Sequence, residues 1–162
     1  MRILVVALIG AVLLQDVFAY TWKYYDVALS ADNNKYWTRI SSGTLRNFIA
    51  ASSSSLNDET TFKRENFHSG QIKLWSPTAE AYLCRITRGD VQYIDYIEAD
   101  PGSNGANCHF LAIDSGTGWV TFRADNGSYL CRVREGATDF IMLQSNPTRN
   151  CQHFQVILHQ YH

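Results

Sequence analysis

Three recurrences along this chain predict an all-β fold class. The tetrapeptide Tyr36-Trp37-Thr38-Arg39 returns as Tyr82-Leu83-Cys84-Arg85 and again as Tyr129-Leu130-Cys131-Arg132, at steps of 46 and 47 residues. Upstream of each lies an alternating apolar pair: Val27 and Leu29, Ile72 and Leu74, Val120 and Phe122. Downstream come Phe48-Ile49, Tyr96-Ile97 and Phe140-Ile141, and thirteen residues beyond each Ile a closing Phe: Phe62, Phe110 and Phe154. Self-similarity at a fixed step marks a fold built from one repeated unit. No stretch beyond the N-terminal segment sustains a 3.6-residue apolar period; the run from Leu45 dissolves into serines at Ser52-Ser53-Ser54-Ser55.

The elements follow in order. Residues 1–19 open on one basic residue, Arg2, run apolar from Ile3 to Leu14 and end on Val17-Phe18-Ala19, the pattern of a cleaved secretory leader too short to span a bilayer. Removing residues 1–19 from the 162 leaves 143, the size of one domain, beginning at Tyr20. In the first copy, short alternating runs separated by turn residues such as Ala31-Asp32-Asn33-Asn34 predict strands near 25–30, 35–40, 47–51 and 60–65. Repeats of about 23–66, 67–114 and 115–158 then carry twelve strands. Three copies of four strands in this length fit a β-trefoil, a closed six-stranded barrel capped by a triplet of hairpins, with the repeated Tyr, Leu, Ile and Phe positions lining its core. Sandwiches rarely repeat three-fold, and propellers typically need four blades or more.

Four cysteines in an exported chain imply two disulfides, and arithmetic alone allows three connectivities. The repeat selects one. Cys84 and Cys131 share a position after the repeated Tyr-Leu, while Cys108 and Cys151 precede the closing Phe residues, so the expected bridges are Cys84–Cys108 and Cys131–Cys151. The first repeat has Thr38 and Glu59 or Thr60 at these places and is expected to hold by packing.

The stretch Asn34-Lys35-Tyr36-Trp37-Thr38-Arg39, then Phe48-Ile49-Ala50-Ala51-Ser52, then Thr61-Phe62-Lys63 resembles the amaranthin-like agglutinin domain of plant lectins. The second repeat echoes it in Tyr82-Leu83-Cys84-Arg85 and Ile97-Glu98-Ala99-Asp100, and the segment from Gly118 to Leu130 is also similar to fascin-like trefoils. The resemblance implies a β-trefoil that binds glycans or glycoproteins without enzymatic activity, through shallow sites and often as a homo-oligomer. The resemblance carries no ligand contact over to a named residue here.

The residues themselves allow that chemistry. Sugar sites pair an aromatic ring with planar polar side chains that reach the hydroxyls. Trp37, Trp75 and Trp119 lie at or beside hairpins that also carry Asn34, Glu80 and Asp125. Trp37 replaces Leu83 and Leu130 of the other repeats and is expected in the core, with Trp75 and Trp119 exposed. The Asp-Asn pair stands in the first turn (Asp32, Asn33, Asn34) and the third (Asp125, Asn126, Gly127), whereas the second reads Pro77-Thr78-Ala79-Glu80. Binding is therefore expected in repeats one and three, although the pair also makes turns by bonding its own backbone. The recurring Arg39, Arg85 and Arg132 are expected as outward strand residues with covered stems.

Other functions are excluded or set second. A net charge of −1 offers no footprint for nucleic acid. Asp90, Asp95, Glu98 and Asp100 lack calcium-loop spacing and are expected in a solvated hairpin; His109 and His153 are expected at the core edge, and neither they nor His159 and His162 have metal spacing. No nucleophile, metalloprotease or phosphate-loop motif is present, so neither catalysis nor a cofactor is expected. Asn126-Gly127-Ser128 is an N-glycosylation sequon. Two alternatives remain open: a protease inhibitor presenting Arg88-Gly89 or Arg134-Glu135, and a cytokine-like trefoil that binds protein.

Overall fold

The computed structural model describes residues 24–87, 89 and 91–161. The expected leader, Arg88, Asp90 and His162 lie outside the described residues, as does the side chain of His159. Twelve strands form among the described residues, four to a repeat. They are β1 (Tyr24–Ser30), β2 (Tyr36–Arg39), β3 (Ile49–Ser53) and β4 (Phe62–Asn66); β5 (Gln71–Ser76), β6 (Ala81–Arg85), β7 (Ile97–Asp100) and β8 (Phe110–Asp114); β9 (Val120–Ala124), β10 (Tyr129–Glu135), β11 (Thr138–Gln144) and β12 (Gln155–Tyr161).

The barrel wall is antiparallel throughout. β1 pairs with both β12 and β4, β4 with β5, β5 with β8, and β8 with β9. Closure comes from one bridge, in which Val120 and Phe154 exchange backbone hydrogen bonds of 2.7 and 3.3 Å. Closing the sheet on itself removes the edges that invite further pairing. The hairpins β2–β3, β6–β7 and β10–β11 cap one end. They interlock cyclically: Phe48 bridges to Glu98, Tyr96 to Met142, and Phe140 to Ala50 of the next hairpin in turn. This is a β-trefoil, as the three-fold repeat predicts.

Strand alternation sorts the landmarks into two apolar clusters. Leu29, Ile49 and Phe62, with their counterparts Leu74, Ile97 and Phe110 and then Phe122, Ile141 and Phe154, fill the barrel. Each of the closing Phe rings is fully buried, worth about 1.5–3 kcal/mol apiece. Phe48, Tyr96 and Phe140 pack a second cluster under the cap. The repeated Tyr36, Tyr82 and Tyr129 are only half-buried, which corrects their expected place in the core: each precedes the buried Trp37, Leu83 or Leu130, and alternation turns it to the other face. Trp37 is in the core as expected, edge-on to Phe122 and Phe154 at 5.7 and 5.0 Å, and its indole N–H meets no acceptor among the described residues. Glu98 departs from the expected solvated hairpin: it is buried, on a strand that bridges through it to Phe48 of the adjoining hairpin.

Both disulfides form as the repeat predicts, Cys84–Cys108 and Cys131–Cys151. In the first repeat, Thr60 occupies the place of Cys108 and Cys151 at the end of a short turn before the closing Phe. It is fully buried and locks the turn reciprocally, its hydroxyl accepting from Asn57 N at 2.8 Å and donating to Asn57 O at 2.8 Å. The unbridged repeat is thus held by a local polar lock as well as by packing.

Candidate functional site

The three repeated arginines do not face outward. Each reaches into the first turn of the next repeat around the barrel. Arg132 grips Asp32 with Nε at 2.6 Å and Nη2 at 2.9 Å, and its Nη1 donates to Asp139 at 2.8 Å. Arg85 grips Asp125 the same way, at 2.9 Å from both Nε and Nη2. Arg39 meets Thr78, the second repeat's residue at that position, at 3.0 Å; lacking a carboxylate there, it takes Glu59 bidentately at 2.8 and 2.7 Å. Bidentate arginine forks of this kind fix geometry as well as contributing energy. The ring therefore clamps the three junctions between repeats.

This clamp sets the first duty of the acidic turn residues. The hydrogen bonds from Arg132 hold the Asp32 carboxyl below the ordinary range against the opposing effect of burial, and Arg85 does the same for Asp125. Arg85 and Arg132 are pushed up in return. Asn33 and Asn126 shape their turns, each Oδ1 accepting the amide two residues on, Lys35 N at 3.1 Å and Ser128 N at 3.0 Å. Asn34 and Gly127 take the left-handed conformation at φ 57° and 86°. At Gly127 a Cβ would crowd Arg123 Nη2 at 3.3 Å, so glycine suits this turn on two counts.

Two clefts open beside these turns. The first, about 320 Å³, lies between the turn of repeat one and the β10–β11 hairpin, and its lining includes Asn33, Lys35, Ser52, Arg134, Thr138 and Asp139. Asn33 Nδ2 bridges its walls, donating to Ala51 O at 3.1 Å and to Asp139 at 3.3 Å. Burial works to raise the Asp139 carboxyl, but hydrogen bonds from Arg134 and Arg132 outweigh it and hold the group below its usual range. The second cleft, about 310 Å³, is lined by Gln71, His109, Leu111, Arg123, Asp125 and Gly127. His109 stacks on Phe67 at 5.0 Å, and burial, with Lys73 nearby, lowers its pKa, leaving a neutral ring at pH 7.

The expected site residues divide accordingly. Asn33 lines the first cleft and Asp125 the second, while Asp32 sits behind the first as the partner of Arg132. Asn34 and Asn126 are exposed at the turn tips. Trp75 and Trp119 are half-buried and lie in neither lining: Trp75 packs edge-on to Tyr82 at 4.9 Å and Trp119 edge-on to His153 at 5.2 Å. Lys35, Ser52, Arg134, Thr138, His109 and Gln71 were not legible as site residues, because the clefts lie between strands of different repeats. Among the described residues no group of His, Cys, Asp and Glu is arranged to hold a metal, and no helix is long and apolar enough to cross a membrane. Arg134, expected on an exposed loop, is in β10 with Nε and Nη2 bound to Asp139 at 2.8 Å.

No protein-family profile and no characterised protein matches the chain by sequence. Solved structures do match it. The designed three-fold symmetric protein ThreeFoil superposes with a TM-score of 0.65 at 17% identity, over 82% of this chain and 97% of its own. The Polyporus squamosus lectin, solved with the human-type influenza-binding epitope Neu5Acα2-6Galβ1-4GlcNAc, gives 0.65 at 10% identity over 83% of this chain and 49% of its own. A Clostridium perfringens endo-β-galactosidase that releases GlcNAcα1-4Gal gives 0.64 at 11% identity over 84% and 33%. This chain therefore spans half or less of those last two proteins. These likenesses place it among β-trefoil proteins; none of them identifies the amaranthin-like family.

Proposed function

We propose that this protein is a secreted, non-catalytic carbohydrate-binding protein whose sites are the two clefts beside the first and third repeat turns. One observation carries the reading: two open clefts of nearly equal volume lie at the turns that hold the Asp-Asn pair, both edged by amide, carboxylate and guanidinium groups, the first also by the hydroxyls of Ser52 and Thr138. Such planar donors and acceptors suit the paired hydroxyls of a sugar ring. The carboxylates in the linings, Asp125 and Asp139, are held ionised by arginine and are ill-suited to donate a proton, which supports binding over hydrolysis. The two disulfides fit an oxidising compartment.

The test is an immobilised-glycan array with free-saccharide competition. Saturable, competed binding is expected, weakened by Ala137→Trp, which fills the first cleft from an exposed position, or by Gln71→Arg at the second. Absence of binding to every glycan refutes the reading.

A further inference from the structure

The cleft between the repeat-one turn and the β10–β11 hairpin carries positive charge that the fold does not consume. Its ionised lining groups are two cations, Lys35 and Arg134, and one carboxylate, Asp139. Asp139 is 8% exposed and saturated, accepting from Arg132 Nη1, from Arg134 Nε and Nη2, and from Asn33 Nδ2. Arg134 spends only those two nitrogens on it. Its side chain stays 61% exposed, and Nη1 has no hydrogen-bond partner among the described residues. Lys35 is half-buried, yet its ammonium forms neither an ion pair nor a hydrogen bond among the described residues. The lining also presents the hydroxyls of Ser52 and Thr138, beside Asn33 and the methyls of Ala51 and Ala137.

The second cleft is arranged differently. Its cation, Arg123, turns back on its own hairpin, with Nε on Gly127 O at 3.0 Å and the guanidinium 5.9 Å from the Tyr129 ring centre.

We propose that the first cleft takes an acidic saccharide, its carboxylate seated between the Lys35 ammonium and the Nη1 edge of Arg134 and its hydroxyls meeting Ser52 and Thr138. The proposal rests on the carbohydrate reading above and adds the charge class of the ligand. A guanidinium with one edge fixed by Asp139 is already oriented, so less conformational freedom is lost when its other edge meets an anion.

The experiment prints neutral oligosaccharides beside their glucuronic-acid and sialic-acid counterparts and probes them with the intact protein, Lys35→Gln and Lys35→Arg, at low and physiological salt, with circular dichroism to confirm folding. The wild type should favour the acidic members about tenfold at low salt, the worth of one charge-assisted contact. That preference should shrink as salt rises, vanish in Lys35→Gln and return in Lys35→Arg. Equal binding of neutral and acidic members, or an acidic preference that survives Lys35→Gln, overturns the proposal while the carbohydrate reading stands. Binding to no glycan, whether or not an oligo-aspartate peptide is bound instead, overturns both.

Discussion

Replacing Arg132 with methionine keeps most of the aliphatic stem and deletes the guanidinium that joins the third repeat to the first. Three hydrogen bonds are lost, two to Asp32 and one to Asp139. Asp139 keeps Arg134, but Asp32 is left without its clamp while its side chain is only 18% exposed. Exposed ion pairs are worth about 0.2–1 kcal/mol, and breaking a fully buried pair costs about 3–5 kcal/mol. A partly buried, bidentate clamp falls between, so Arg132→Met should lose about 2–3 kcal/mol, a shift near 1 M in the urea midpoint for a typical slope. Arg85→Met, which touches the single carboxylate of Asp125, should lose less, about 1–2 kcal/mol. The loss should also depend on pH. Asp32 in the folded chain binds its proton less readily than in the unfolded chain, so the clamp's stabilisation is full above the ordinary carboxylate range and is lost as pH falls through the depressed folded value. Arg132→Met should therefore flatten the decline of stability between neutral and acid pH. Urea titrations from pH 7 downward measure both effects. A loss below about 0.5 kcal/mol, or an unchanged pH slope, refutes the clamp as a stabilising device and leaves it an ordinary surface pair.

Removing Cys84 and Cys108 together, as serines, should cost about 3 kcal/mol and lower the thermal midpoint by roughly 10 °C, read by calorimetry. Thr60→Val should cost about 1–2 kcal/mol by leaving Asn57 N without its acceptor, and Thr60→Ser, which restores the hydroxyl, should recover part of it in the same urea assay. Trp37→Leu copies the residue of the other two repeats but opens a void against Phe122 and Phe154. A loss of about 2–4 kcal/mol is expected by chemical denaturation, and a loss near zero would mean that the barrel wall collapses to fill the space.

What was legible in the chain was whatever recurs locally. Val27 and Leu29, the Ile residues at 49, 97 and 141, and the closing Phe residues each repeat a strand pattern, and a pattern of that kind records which face is buried regardless of what lies opposite. The disulfides were legible for the same reason, since Cys84 and Cys131 stand at one repeat position and Cys108 and Cys151 close to another. Tyr36, Tyr82 and Tyr129 recur just as plainly and were misplaced, because recurrence marks a position as structural without saying which side of the strand it faces. The arginines show the boundary most clearly. Their repetition was visible, but the partner of Arg132 is Asp32, 100 residues away, and that pairing exists only once the last repeat closes against the first. Glu98, too, is buried where its strand meets Phe48 of a different hairpin. The clefts belong to the same class: Lys35 and Arg134 come from opposite ends of the chain and face one cavity only because the barrel is closed. Local periodicity determined the strands, the core and the bridges, while the junctions between repeats, where charges pair and clefts open, were decided by closure, since there the interacting groups are neighbours in space and strangers in sequence.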